Sequence, residues 1–144
     1  MATNIKRFIL AAMILSACNQ VAKTRHVPTN ISEAFIKLHP NATILKWNDE
    51  PPIWEAKYKD GEEKGAASFN EKAVLTETEL VISETQLPNA SIIPNYIKSH
   101  YPNEKIQGCE KITKADGTNT YEIQITGKEI VFDGSGKYLS EEKD

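Results

Sequence analysis

Apolar and polar side chains alternate along Trp54-Glu55-Ala56-Lys57-Tyr58-Lys59 and again along Tyr121-Glu122-Ile123-Gln124-Ile125-Thr126. A period of two predicts a strand with one buried face at each place. Ahead of the first strand the period changes: Ile31, Phe35, Ile36 and Leu38 recur at helical spacing, Asn30 and Glu33 stand three apart as in a capping box, and Pro40 stops the helix. Ahead of the second, Ser91 is the expected N-cap. It places Pro94 in the first turn, where its missing N–H costs little, and Ile93 and Ile97 on one face. Asp60-Gly61, Asp116-Gly117 and Asp133-Gly134-Ser135-Gly136 are turn sequences between strands.

These patterns occur twice. Phe35 to Ile44 lies over Ile97 to Ile106 at a constant offset of 62, and Phe69 to Leu75 lies over Phe132 to Leu139 with one extra residue in the second copy. Val27-Pro28 and Leu87-Pro88 open the two copies. The expectation is an α+β fold of two helix-plus-antiparallel-strands repeats, residues 27–86 and 87–144. The repeats would form one continuous antiparallel sheet with both helices on one face. The other face is then expected to be open to water and lined by Glu55, Lys57, Lys59, Glu122 and Gln124. Trp47 is out of phase with Ile44 and joins that candidate binding face, because tryptophan is enriched among interface hot spots.

The N-terminus changes the picture from fold to address. Lys6-Arg7, the apolar run Phe8 to Leu15 and the small residues Ser16-Ala17 follow the plan of a secretory signal. The run is far short of the roughly 20 residues that span a bilayer. Leu15-Ser16-Ala17-Cys18 resembles the bacterial lipobox, which implies a signal peptide over 1–17, lipid attachment at Cys18, and a tether over 18–26. Asn19 after the lipid site favours the periplasmic side of the outer membrane of a Gram-negative bacterium. The whole chain has 17 basic and 20 acidic residues and a net charge of −3; without Lys6 and Arg7 the domain has 15 against 20, or −5. That balance lacks the basic footprint of a nucleic-acid binder. With Cys18 acylated, Cys109 has no partner in its own chain and reads as a buried, hydrophobe-like thiol, with a reactive thiol or an intermolecular bridge as the alternatives.

The His39-Pro40-Asn41 and Tyr101-Pro102-Asn103 turns, the Tyr121-Glu122-Ile123 strand and the Phe132-Asp133-Gly134 to Leu139 hairpin resemble tandem PepSY-like domains, in particular the exported beta-lactamase-inhibitor-like group. The resemblance spans Val27 to Leu139. It implies a helix-plus-antiparallel-sheet module that works outside the cytoplasm, has no catalysis of its own, and restrains a peptidase or another secreted enzyme. The chain departs from the secreted beta-lactamase inhibitors in lacking their intradomain cysteine pairs.

Candidate chemistry is sparse. His26, His39 and His100 have no spacing suited to a metal, and no metal or cofactor is expected. Gly134-Ser135-Gly136 is read as a turn, since a nucleophile elbow needs GxSxG with a base in reach. Glu77 to Glu84 reads as a solvated strand edge or a connection between the repeats, with an acidic docking strip as the alternative. The function expected is therefore a non-catalytic envelope lipoprotein that binds an unidentified envelope protein or peptide and touches the membrane only through its lipid. The alternative is an accessory protein that binds a small ligand or a cell-wall component.

Overall fold

The structure, a computed structural model, describes residues 25–89 and 91–143. The expected signal peptide over 1–17, the expected lipid site Cys18 and most of the expected tether lie outside the described residues. Among those described, no helix is long and apolar enough to cross a membrane.

Eight strands dominate: β1 Thr43–Glu50, β2 Ile53–Asp60, β3 Glu63–Asn70, β4 Leu75–Ile82, β5 Gly108–Lys114, β6 Asn119–Ile125, β7 Lys128–Asp133 and β8 Tyr138–Lys143. They form one sheet in sequence order, every neighbouring pair antiparallel. The helices are short, α1 Thr29–Leu38 before β1 and α2 Ile92–His100 between β4 and β5.

This corrects the expected α+β arrangement of two helix-plus-strand repeats. The architecture is a single sheet-dominated meander in which β4 and β5 pair directly from Glu77↔Lys114 to Ile82↔Cys109. The hydrogen-bonded ladder runs across the place where a boundary between repeats was expected. Two helices of 10 and 9 residues are accessories to it.

The helices form where the sequence lets them bury a stripe. Ile31 and Phe35 of α1 pack on Trp54, Ala56, Tyr58, Ala67 and Phe69, while Ile93 and Ile97 of α2 pack on Tyr121, Ile123, Ile130 and Phe132. The strand register places these sheet residues on the same face: Tyr58 pairs with Gly65, Gly65 with Leu80, Leu80 with Lys111, Lys111 with Tyr121, and Tyr121 with Phe132. Both helices therefore cover one face, and no helix among the described residues covers the other.

The expected capping box at Asn30 and Glu33 does not form. The N-cap of helix α1 is Pro28, two residues before Asn30, and its carbonyl accepts from the Ile31 and Ser32 amides at 3.0 and 3.1 Å. At α2 the Ser91 side chain makes no capping hydrogen bond, although its carbonyl accepts from the Asn95 amide at 2.9 Å. Pro94 falls among the first four helical residues, whose N–H groups have no intrahelical partner.

Candidate functional site

The uncovered face is built from alternate residues of the strands. One row across it reads Lys57, Ala66, Glu79, Ile112, Thr120 and Asp133; a flanking row reads Glu55, Ser68, Glu77 and Lys114; a third reads Val81, Glu110, Glu122, Val131 and Ser140. Side chains directly opposite on neighbouring strands share a face, so these rows are contiguous. The surface is mixed in character. Ala66, Ile112, Thr120 and Val131 are buried without a helix above them, enclosed by the longer side chains around them. Val81 is half exposed, at 50%.

Of the sequence-derived candidates, Glu55, Lys57, Lys59, Glu122 and Gln124 all lie on this face. Lys57, Lys59 and Gln124 are exposed, and Glu55 and Glu122 are half-buried. Glu55 is held in place: Asn48 Nδ2 donates to its Oε1 at 2.7 Å, and Lys57 Nζ stands 3.7 Å from the same oxygen. Trp47 is not among them. It pairs with Ala56, and its ring meets Phe35 of α1 edge-on at 5.8 Å, on the helix-covered side. A register shift between Ile44 and Lys46 inserts an extra residue into β1, which brings Trp47 to the same side as Ile44.

Sequence reasoning missed the middle of the face. The Glu77 to Ile82 stretch is no edge or connection but β4, an interior strand. Its alternation was legible: Glu77, Glu79 and Val81 point one way, and Thr78, Leu80 and Ile82 the other. Burial first, then the charges of Glu55, Glu110, Glu122 and Glu77, push the Glu79 carboxyl up to about 8. Glu110 is also raised, by burial first, with Lys57 opposing the rise and Glu55 adding to it.

The remaining chemistry-bearing residues are placed elsewhere. Cys109 is buried against the α2 core, and burial together with Glu84 pushes its thiol up to about 11, which disfavours the thiolate. The His39 ring lies 4.2 Å from that of Tyr58, with Nε2 enclosed and without a hydrogen-bond partner. His100 stacks on Tyr96 at 3.9 Å, and His26 is exposed. Among the described residues no three His, Cys, Asp or Glu side chains gather as a metal site would require. A cavity of about 190 Å³ lies at one end of the uncovered face, lined by Val81, Gly108, Cys109, Glu110, Glu122, Gln124 and Glu129.

No protein-family model matches the sequence, and no curated protein sequence is recognisably similar to it. Crystal structures are more informative. A BLIP-like protein from Bacteroides fragilis superposes with a TM-score of 0.64 at 22% identity, over 82% of this chain and 88% of its own. The fold of this chain is similar to that of this BLIP-like protein. A candidate periplasmic protein from Bacteroides eggerthii superposes with a TM-score of 0.72 at 14% identity, over 83% of this chain and 90% of its own. So does a DUF2874 family protein from Bacteroides uniformis, with a TM-score of 0.71 at 13% identity, over 82% and 90% of the two chains. At these identities the likeness is one of fold. It does not extend to the PepSY-like assignment.

Proposed function

We propose that this protein is a non-catalytic lipoprotein of the bacterial envelope, anchored through Cys18, which binds a protein or peptide partner with its uncovered sheet face. The observation that carries this reading is the face itself. Five charged or amide side chains from two separated strands lie on one surface that no described helix covers, around the exposed apolar side chain of Val81. An apolar centre within a polar surround is the usual anatomy of a protein interface. Periplasmic placement rests on the leader pattern and on the periplasmic neighbours that share the fold. The small-ligand alternative has one supporting feature, the cavity beside Gly108, and at about 190 Å³ it falls below the roughly 300 to 1,000 Å³ of ordinary ligand pockets.

The test is capture of envelope proteins by immobilised wild-type protein, run beside a Lys57→Glu, Gln124→Lys double variant and a Lys37→Glu variant of exposed α1. The expected result is a partner retained by wild type and by the α1 variant but lost by the double variant, with all three melting alike. A partner lost only with the α1 variant would place binding on the helix side and overturn the reading.

A further inference from the structure

The ladder register sets carboxylates side by side on the uncovered face. Glu110 of β5 stands directly opposite Glu122 of β6, where like charges destabilise a sheet when both are ionised. Glu79 lies on β4 diagonally from Glu110, in the same side-chain row as Ala66 and Ile112, two of the buried apolar residues of this face. Glu77 is two residues away on the same strand, and Glu55 reaches the same area from β2. The basic groups facing this area are Lys57 and Lys59 of β2, Lys64 of β3 and Lys114 of β5. Lys57 is already engaged with Glu55, and Lys114 stands opposite Glu77.

We propose that the carboxylates gathered on the uncovered face form a pH-sensitive switch, in which rising pH adds negative charge to that face and lowers the stability of the sheet. At neutral pH Glu79 is largely protonated, since its carboxyl is pushed up to about 8. Above that range it ionises among Glu55, Glu77, Glu110 and Glu122, and the face becomes more strongly anionic. The sign follows from linkage. A carboxyl raised in the folded state contributes stability that is fully present below its unfolded value of about 4.3 and is lost as the pH rises through the folded value. The switch operates in the free protein, so it stands or falls separately from partner binding.

The test is a carbon-detected NMR titration of the glutamate carboxyls, with thermal melts of the same samples between pH 6 and pH 9. One carboxyl should titrate with a midpoint near 8 and be missing in Glu79→Gln. The melting temperature of wild type should fall across that range at least twice as far as that of Glu79→Gln, while Glu33→Gln on exposed α1 keeps the wild-type profile. Should Glu79→Gln not fold, Glu110→Gln serves instead: relieving its repulsion should move the high midpoint down. Every glutamate titrating below pH 6, equal slopes in wild type and Glu79→Gln, or an unmoved midpoint in Glu110→Gln would overturn the proposal.

Discussion

Two single residues hold turns that the sheet depends on. Asp133 Oδ1 accepts from the Ser135 amide at 2.9 Å, the Ser135 hydroxyl at 2.7 Å and the Lys137 amide at 3.0 Å, closing the β7–β8 hairpin. Asn70 Oδ1 does the same work between β3 and β4, accepting from the Lys72 and Val74 amides at 2.9 and 3.1 Å. These bonds hold the Asp133 carboxyl below its ordinary range. Its contribution is present above the unfolded value and fades as the pH falls through the lower folded one. Asp133→Ala should therefore melt below wild type at pH 7, with the gap closing in strong acid; a gap that is constant with pH would show that the carboxylate charge is irrelevant. Gly65 is the second sensitive position. A Cβ there would sit 2.3 Å from the Glu79 carbonyl oxygen and 3.1 Å from the Tyr58 hydroxyl. Overpacking of this kind costs about 1–3 kcal/mol, so Gly65→Ala should show that loss in urea denaturation. No sequence pattern marks Gly65, because the constraint comes from strands paired across space. The turn role of Asp133, by contrast, was legible from the glycines that follow it.

At the scale of elements, the two strands read from alternation are β2 and β6, and Trp54, Ala56, Tyr58, Ile123 and Ile125 are all buried in them. Both helices were legible from Ile31 and Phe35 and from Ile93 and Ile97, while their first turns were not, because backbone carbonyls and not side chains receive the early amides. The capping pair that does form was missed: Gln86 Oε1 accepts from the Ser83 amide at 2.9 Å, at the start of a single 3₁₀ turn over Glu84–Gln86. Such a short turn has no hydrophobic period to reveal it. Trp47 failed for a related reason, since the irregularity after Ile44 shifts the phase on which the argument relied. Each helix covers its own apolar cluster, so Phe35→Ala should cost about 3–5 kcal/mol and Ile97→Ala about 2–5 kcal/mol. Because one ladder joins all eight strands, each variant should unfold in a single transition by both circular dichroism and tryptophan fluorescence. Both tryptophans lie in the first two strands. A fluorescence transition separated from the circular dichroism transition would mean that the two ends of the sheet unfold independently.

Among the described residues the molecule is an open sheet with one face covered by helices and one left bare, and with β1 and β8 at its edges. Lys46, Asp49 and Glu50 on β1 and Glu141, Glu142 and Lys143 on β8 place charges along both edges, which discourages pairing with another sheet. The bare face is the surface to which we assign recognition. The expected division into two helix-plus-strand repeats does not hold, since the β4–β5 pairing joins segments that the repeat had assigned to separate units. The measurement that tests binding by this face most directly is methyl NMR of the protein with and without its captured partner. Residues on the two faces carry separate probes, Val81 and Ile112 on the bare face and Ile36 and Ile92 on the exposed sides of the helices. Val81 and Ile112 should shift while Ile36 and Ile92 stay in place; shifts confined to Ile36 and Ile92 would contradict binding by the bare face.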